Sequence, residues 1–171
     1  EETDKSLIEV KEYLTLYNEI KTLHSEHNHE ELVKKADKFL KKYPNNSEVK
    51  KYFIESGQIF AYLEIAKKYL EDSFSPNEKN EKELIMISVE NDKGEKTEEI
   101  DFEKIYFNLD KANKYSVEAK KLDPYFKKAI SLEKMIGDFN YTFDILLIDS
   151  IETSIMVNEY LIESIFIQHY N

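Results

Sequence analysis

With 171 residues and a formal net charge of −11, the chain carries an acidic surface that repels phosphate, which argues against nucleic acids and anionic membrane surfaces as partners. The sequence has no cysteine, which excludes disulfides, thiolate metal sites and cysteine nucleophiles. It has three glycines and three prolines, too few for the frequent turns of an all-β protein, so the composition favours an all-α fold.

The first part of the chain predicts a helical hairpin over residues 5–43. Apolar side chains recur every three or four positions in residues 5–25, and the same spacing returns in residues 30–43. The polar residues 24–29 break the pattern and predict a turn between the two helices. Pro44 ends the second helix.

A second hairpin is predicted over residues 48–122. Its first helix covers about residues 48–73, with Ser47 as the expected N-cap. Gly57 lies inside this helix, where a glycine costs roughly 1 kcal/mol against alanine. We therefore expect a neighbouring helix to pack closely against Gly57 as compensation.

An insert within this hairpin, residues 74–101, has a different character. Residues 84–89 form a short β-rich run, and residues 91–94 carry a turn signal. We expect a small β-hairpin or a mobile acidic loop here. Asp101 is the expected N-cap of the next helix, at about residues 102–122.

The carboxyl-terminal part, residues 125–170, predicts a helical pair. A short helix over about residues 125–136 ends at Gly137, and a long apolar helix follows at about residues 140–169. The apolar surface of that last helix is wider than one supporting hairpin can cover. Either it caps the helical array, or it leaves a patch for a partner or for a second copy in a homodimer. Together, residues 1–171 predict a single helical domain.

Small or apolar side chains precede two of the helix-ending prolines at the same intervals. The intervals are 4, 3 and 5 residues in both stretches, and they place the side chains on one helix face before the turn. The two stretches are Leu32, Ala36, Phe39 and Pro44, and Ala112, Ser116, Ala119 and Pro124, the latter followed by another small residue at Ala129.

This pattern resembles the tetratricopeptide repeat, a helix–turn–helix unit of about 34 residues. The resemblance implies antiparallel helical hairpins, here about two units, with the carboxyl-terminal helices as a cap. The prolines lie 80 positions apart, about 12 more than two repeats need, and the insert accounts for the excess. The resemblance also implies a non-enzymatic scaffold for protein–protein interaction.

A partner protein is expected to bind through the helical groove, the insert or the apolar carboxyl-terminal helix. Twelve tyrosines and ten phenylalanines are present, and tyrosine is favoured at interfaces because it joins a large apolar ring to one polar tip. Core filling is the alternative interpretation, and we expect it to explain at least half of them. The candidate partner-binding residues are Tyr52, Tyr62, Tyr106, Ile148, Met156, Tyr160 and Ile165.

Three histidines, His24, His27 and His29, offer the alternative hypothesis of a metal- or small-ligand-binding helical protein. Imidazoles and the flanking carboxylates are zinc ligands. However, zinc-binding histidines on a helix usually stand at i and i+4, and a solvated turn explains the same residues. The sequence has no Gly-x-Ser-x-Gly nucleophile motif and no glycine-rich phosphate loop, so we predict no catalytic residue, no cofactor and no enzyme activity.

The amino terminus and the composition bear on the cellular compartment of the protein. The chain begins at Glu1 rather than at methionine, so we expect that an upstream piece has been removed: a signal peptide, a lipid-anchor segment or simply a trimmed end. No apolar run approaches the about 18 residues of a membrane span. This acidic, lysine-rich composition is similar to that of spirochaetal envelope lipoprotein ectodomains. We therefore expect a bacterial cell-envelope protein, periplasmic or at the surface, rather than a cytoplasmic one.

Overall fold

The computed structural model describes residues 2–76, 82–90 and 93–149, and these residues are mostly helical. This confirms the prediction of an all-α fold with a small β insert. Among the described residues, no helix has the length and apolar character needed to cross a membrane. The elements are α1 (Glu2–Ser25), α2 (His29–Lys42), α3 (Ser47–Glu71), β1 (Phe74–Pro76), β2 (Lys82–Leu84), β3 (Met86–Glu90), β4 (Lys96–Ile100), α4 (Phe102–Leu122) and α5 (Lys127–Asp149).

The described residues fall into two compact units. The first unit comprises residues 2–61 and 119–126, and the second comprises residues 62–118 and 127–149. Helices α3 and α4 therefore each contribute to both units.

The first unit is built on the antiparallel pair α1 and α2. Lys42 on α2 pairs with Glu12 on α1 at 2.6 Å, and Lys35 pairs with Glu19 at 2.6 Å, so the two helices run in opposite directions. The apolar residues of α2 recur every three or four positions and therefore share one face. Burial of each large apolar side chain on that face stabilises the unit by about 1.5–3 kcal/mol. The fully buried core residues are Ile20, Leu32, Ala36, Phe39 and Val49.

Side-chain caps fix where two of the helices begin. Asn46 caps α3, because its Oδ1 accepts a 2.9 Å hydrogen bond from the Val49 N–H. The prediction that Ser47 is the cap is therefore wrong by one residue, since Ser47 is already the first helical residue. Asp101 caps α4 through a 3.0 Å hydrogen bond from the Lys104 N–H, as predicted.

In the second unit, α4 and α5 pack through aromatic side chains. Phe143 on α5 is 1% exposed. Its ring lies 5.1 Å from that of Phe102 and 5.3 Å from that of Tyr106, both on α4. Phe139, one turn earlier on α5, stacks on Phe143 at 5.9 Å and also contacts Phe74 of β1 at 5.4 Å. These rings form the core that joins the insert to the two helices.

The insert consists of two antiparallel strand pairs. Strands β1 and β2 pair with Phe74 opposite Leu84, and β3 and β4 pair with Met86 opposite Ile100. The sequence predicted one small hairpin or a loop, whereas the insert contains two strand pairs. Ile85, between β2 and β3, joins both pairs to the helices: its N–H donates to the Ser73 carbonyl at 3.2 Å, and its carbonyl accepts from the Asp101 N–H at 2.9 Å.

Two glycines contradict the sequence-based expectations. A Cβ atom placed on Gly57 would have no described atom of another helix within 4 Å. The prediction that a neighbouring helix packs closely against Gly57 is therefore wrong. Gly137 does not end a helix, because α5 continues from Lys127 to Asp149. Buried apolar residues on both sides of Gly137, Ile136 and Phe139, hold α5 in the core and outweigh the glycine's cost of about 1 kcal/mol.

The small residues of the repeat-like pattern are all buried. Ala112, Ser116, Ala119 and Ala129 are each 0% exposed. These positions therefore face the interior, where small side chains leave room for a neighbouring helix. The remainder of the predicted carboxyl-terminal pair, beyond residue 149, lies outside the described residues.

Candidate functional site

Tyr52, the first candidate partner-binding residue, is held within the first unit. Its hydroxyl donates a 2.7 Å hydrogen bond to Glu48, one turn earlier on α3, and the ring of His24 stacks on it at 3.9 Å. The hydrogen bond to Glu48, with a smaller contribution from burial, raises the pKa of Tyr52 to about 12. Both the ring and the hydroxyl are therefore used inside the protein.

Tyr62 belongs to a row of aromatic side chains across α3 and α4 in the second unit. The ring of Tyr115 lies 6.1 Å from that of Tyr62 and 6.0 Å from that of Tyr69. Tyr69 contacts Phe107 at 6.4 Å, and the Lys111 ammonium lies 5.2 Å above the Phe107 ring. Phe107 is 54% exposed, so the row has one apolar end at the surface.

Tyr106 is bound to α5. Its hydroxyl donates a 2.6 Å hydrogen bond to Asp144, and its ring packs against Phe143 at 5.3 Å. Burial, and then the hydrogen bond to Asp144, raise the pKa of Tyr106 to about 12. Tyr106 therefore serves to join α4 to α5.

The other four candidates lie on or beyond the end of α5. Ile148 is within α5, but the structure describes only its backbone. Met156, Tyr160 and Ile165 lie outside the described residues. Of the apolar residues near them, Ile145 is 42% exposed and Leu147 is 44% exposed, so this end of α5 has an apolar surface.

The β3–β4 hairpin, residues 86–100, exposes apolar side chains that the sequence did not single out by residue. All five residues of β3 are exposed, and so are the first four of β4. Met86, Ile87 and Val89 are 42%, 48% and 37% exposed. Among the described strands, β3 and β4 pair only with each other, which leaves backbone groups on their outer edges without a strand partner.

The structure separates His24 from the other two histidines. His24 lies against Tyr52, and its burial there is the main reason that its pKa is below the ordinary value. His27 follows the end of α1 with a positive φ of 56°. His29 is the first residue of α2 and is only 4% exposed, so the interpretation of a solvated turn is wrong for this residue.

His27 and His29 both contact Asp123, which follows α4. Their Nδ1 and Nε2 atoms lie 2.7 Å and 2.6 Å from the same carboxylate oxygen, Oδ2. The other ring nitrogen of His29 lies 2.9 Å from the hydroxyl of Ser56, which is 1% exposed. We call His27, His29 and Asp123 the His–Asp cluster. Asp123 directly precedes Pro124 of the repeat-like stretch, and no pattern in the sequence indicates that it meets the histidines.

Asp123 is oriented by a second set of contacts. Its Oδ1 accepts a 2.9 Å hydrogen bond from the Tyr125 N–H, which directs Oδ2 toward the histidines. Burial alone would raise the pKa of the Asp123 carboxyl, but hydrogen bonds from His29, Tyr125 and His27 outweigh burial and hold the pKa below its usual value. The cluster thus presents an ionised carboxylate beside two imidazoles, a set of groups that can hold a metal ion.

No family model, curated protein or solved structure matches this chain.

Proposed function

We propose that this chain is a non-enzymatic, tetratricopeptide-like module that binds a partner protein through its β3–β4 hairpin. The observation that carries the proposal is the exposure of that hairpin, with Met86, Ile87 and Val89 in water. Of the three routes considered from the sequence, the insert has the strongest structural support. The repeat-like hairpins then act as the scaffold that holds it.

The β3–β4 hairpin gains little stability when no partner covers it. An isolated two-stranded sheet is marginally stable, and exposed large apolar side chains forgo about 25 cal/mol for each Å² that a partner could bury. The backbone contact between Ile85 and Asp101 fixes the base of the hairpin to α4 at 2.9 Å. A hairpin with a fixed base and an exposed apolar strand adds little to the stability of the protein, but it holds a binding surface in place.

The mode that best fits this geometry is strand addition. A partner segment in extended conformation can pair with the outer edge of β3 through backbone hydrogen bonds, as in other sheet-edge recognition. Ile87 and Val89 lie two positions apart and therefore on the same face, where they offer apolar contacts to alternate side chains of the added strand. Edge pairing supplies affinity, and these two side chains supply selectivity.

The charge of the hairpin favours a basic partner segment. Residues 86–100 include five carboxylates and two lysines. An extended segment with alternating apolar residues and flanking lysine or arginine would complement this surface, and its association rate should fall as salt screens the charges.

A photo-crosslinking amino acid at position 87 tests the proposal in the cells that make the protein. We expect a discrete protein adduct at position 87 that is lost when Val89 is changed to Lys. The same amino acid at position 41 of α2 is the control, because the Lys41 side chain is 73% exposed but lies on a charged surface. Adducts of equal yield at both positions, or no adduct at position 87, would contradict docking at the hairpin.

A further inference from the structure

Three metal-ligating atoms converge in the first unit. The ring nitrogens of His27 and His29 and a carboxylate oxygen of Asp123 all lie within 4.8 Å of one another. We propose that the His–Asp cluster is a binding site for a divalent transition-metal cation of the zinc class. This site is separate from the β3–β4 hairpin and goes beyond the proposed partner binding.

The ligand chemistry matches this class of metal. Two neutral imidazoles and one carboxylate form a mixed nitrogen–oxygen set that suits Zn²⁺ and its first-row neighbours, whereas Mg²⁺ and Ca²⁺ prefer all-oxygen ligands. Three protein ligands leave a fourth tetrahedral position for water. The side chain of His27 is 39% exposed, so this position can face solvent on the His27 side.

Ser56 provides an outer contact that metal binding requires. When a cation takes the Nε2 lone pair of His29, the proton of the neutral ring must reside on Nδ1 and needs an acceptor. The Ser56 hydroxyl lies 2.9 Å from that Nδ1 and is buried, so it can accept this hydrogen bond. The ring is also held by Phe126, whose edge-on ring lies 4.8 Å away. His29 is therefore oriented before any metal arrives.

The distances show the adjustment that binding needs. Oδ2 of Asp123 now lies 2.7 Å from Nδ1 of His27 and 2.6 Å from Nε2 of His29, where it accepts hydrogen bonds. Tetrahedral ligands on zinc lie about 3.3 Å from each other, given bonds of about 2.0–2.1 Å. Each ring nitrogen therefore has to move away from Oδ2 by roughly half an ångström or a little more as the cation replaces the shared protons. The two ring nitrogens, which lie within 4.8 Å of each other, also have to reach the spacing of about 3.3 Å. The Tyr125 N–H keeps Asp123 in place during this change.

Zinc titration of chelator-treated full chain tests the proposal, with competition against a chromophoric chelator and calorimetry as readouts. We expect one equivalent per chain at about pH 7.5, weaker binding at about pH 5.5 because protons compete for the imidazoles, and a higher unfolding temperature in the presence of Zn²⁺.

Four variants test the site: two change a ligand, one changes the outer contact of His29, and one is a control. His27→Asn removes an imidazole but keeps a residue that tolerates a positive φ, so it should stay folded. Asp123→Asn keeps an oxygen for the Tyr125 N–H. We expect either change to weaken zinc binding about tenfold or more, and Ser56→Ala to weaken it by a similar factor through the His29 ring. His24→Ala is the matched control and should bind zinc as the unchanged chain does.

Two results would overturn the metal site. One is the absence of stoichiometric zinc binding, which would leave a hydrogen-bonded cluster with a structural role only. The other is binding of several equivalents that is insensitive to His27→Asn and Asp123→Asn, which would show only weak association with the acidic surface.

Discussion

Tyr17 on α1 donates a hydrogen bond to Oε2 of Glu48, in the first turn of α3. Tyr52 donates to the other oxygen of the same carboxylate at 2.7 Å, and the Lys21 ammonium lies 3.7 Å from it. The hydrogen bond from Tyr17, followed by that from Tyr52, lowers the pKa of Glu48 below its ordinary value. The ionised carboxylate is thus the form that joins α1 to α3.

The lowered pKa predicts how Glu48 contributes to stability as pH changes. Because the folded-state pKa is below the unfolded value of about 4.3, the contribution is complete above that value and is lost as pH falls through the folded pKa. Glu48→Gln should therefore lower the urea midpoint at neutral pH, and the difference should shrink below about pH 4. Glu9→Gln, at an exposed position on α1, is the control. A difference that stays constant from neutral to acidic pH would contradict this account.

The three glycines should respond differently to alanine. Gly57 and Gly137 are exposed positions inside helices, and a Cβ on either would have no described neighbouring atom within 4 Å beyond its immediate helix. Gly57→Ala and Gly137→Ala should each stabilise the protein by about 0.5–1 kcal/mol in urea unfolding. Gly94 has a φ of +80°, which an alanine adopts only with strain, so Gly94→Ala should destabilise the β3–β4 hairpin instead. A loss of stability in Gly57→Ala would show that the helix is more crowded there.

The helices were predictable from the sequence because their signals are local. The three- to four-residue spacing of Leu32, Ala36 and Phe39 identified the buried face of α2. Asp101, as an N-cap residue, indicated where α4 begins. The His–Asp cluster was not predictable, because His29 and Asp123 are 94 positions apart and no local pattern links them. The predicted helix end at Gly137 was wrong for a related reason. The low helix propensity of glycine is a local property, whereas the burial of Phe139 that overrides it depends on the whole core.

The buried alanines test the tetratricopeptide-like alignment. Ala119 is 0% exposed, so Ala119→Leu would force extra methylenes into filled space and should cost about 1–3 kcal/mol. Ala61→Leu makes the same chemical change at an exposed helical position and should alter stability by less than about 0.5 kcal/mol. Thermal unfolding measures both. Equal unfolding temperatures for the two variants would show that the site of Ala119 can expand and that the small residue is not required there.

The two parts of the insert should differ in their importance for folding. Replacement of residues 87–99 by a Gly-Ser linker removes mostly exposed residues, and a change in surface loop length costs only about 0.6 kcal/mol per doubling. The helical circular dichroism should therefore survive this replacement. Leu84, which is 2% exposed at the base, should behave oppositely: Leu84→Ala should cost about 2–5 kcal/mol. Unfolding of the shortened protein would mean that the hairpin supports the core rather than a partner.

Phe143 determines whether the end of α5 acts as part of the core. Its ring contacts Phe102, Tyr106 and Phe139 and is 1% exposed, so Phe143→Ala should leave a cavity and cost about 3–5 kcal/mol. Tyr141, two positions earlier and 70% exposed, provides the control, since Tyr141→Ala should cost less than about 0.5 kcal/mol.

Truncation after residue 140 extends the same test. It removes Phe143 together with Asp144, the hydrogen-bond acceptor of Tyr106, so Tyr106 on α4 loses both its ring contact and its hydrogen bond to α5. We expect the truncated chain to lose cooperative urea unfolding in the second unit, with exposed apolar surface detected by dye binding. A truncated chain that unfolds cooperatively at the original urea midpoint would show that these contacts do not stabilise the core. In that case, the apolar residues at the end of α5 would be better explained as a surface for a partner or for a second copy of the chain.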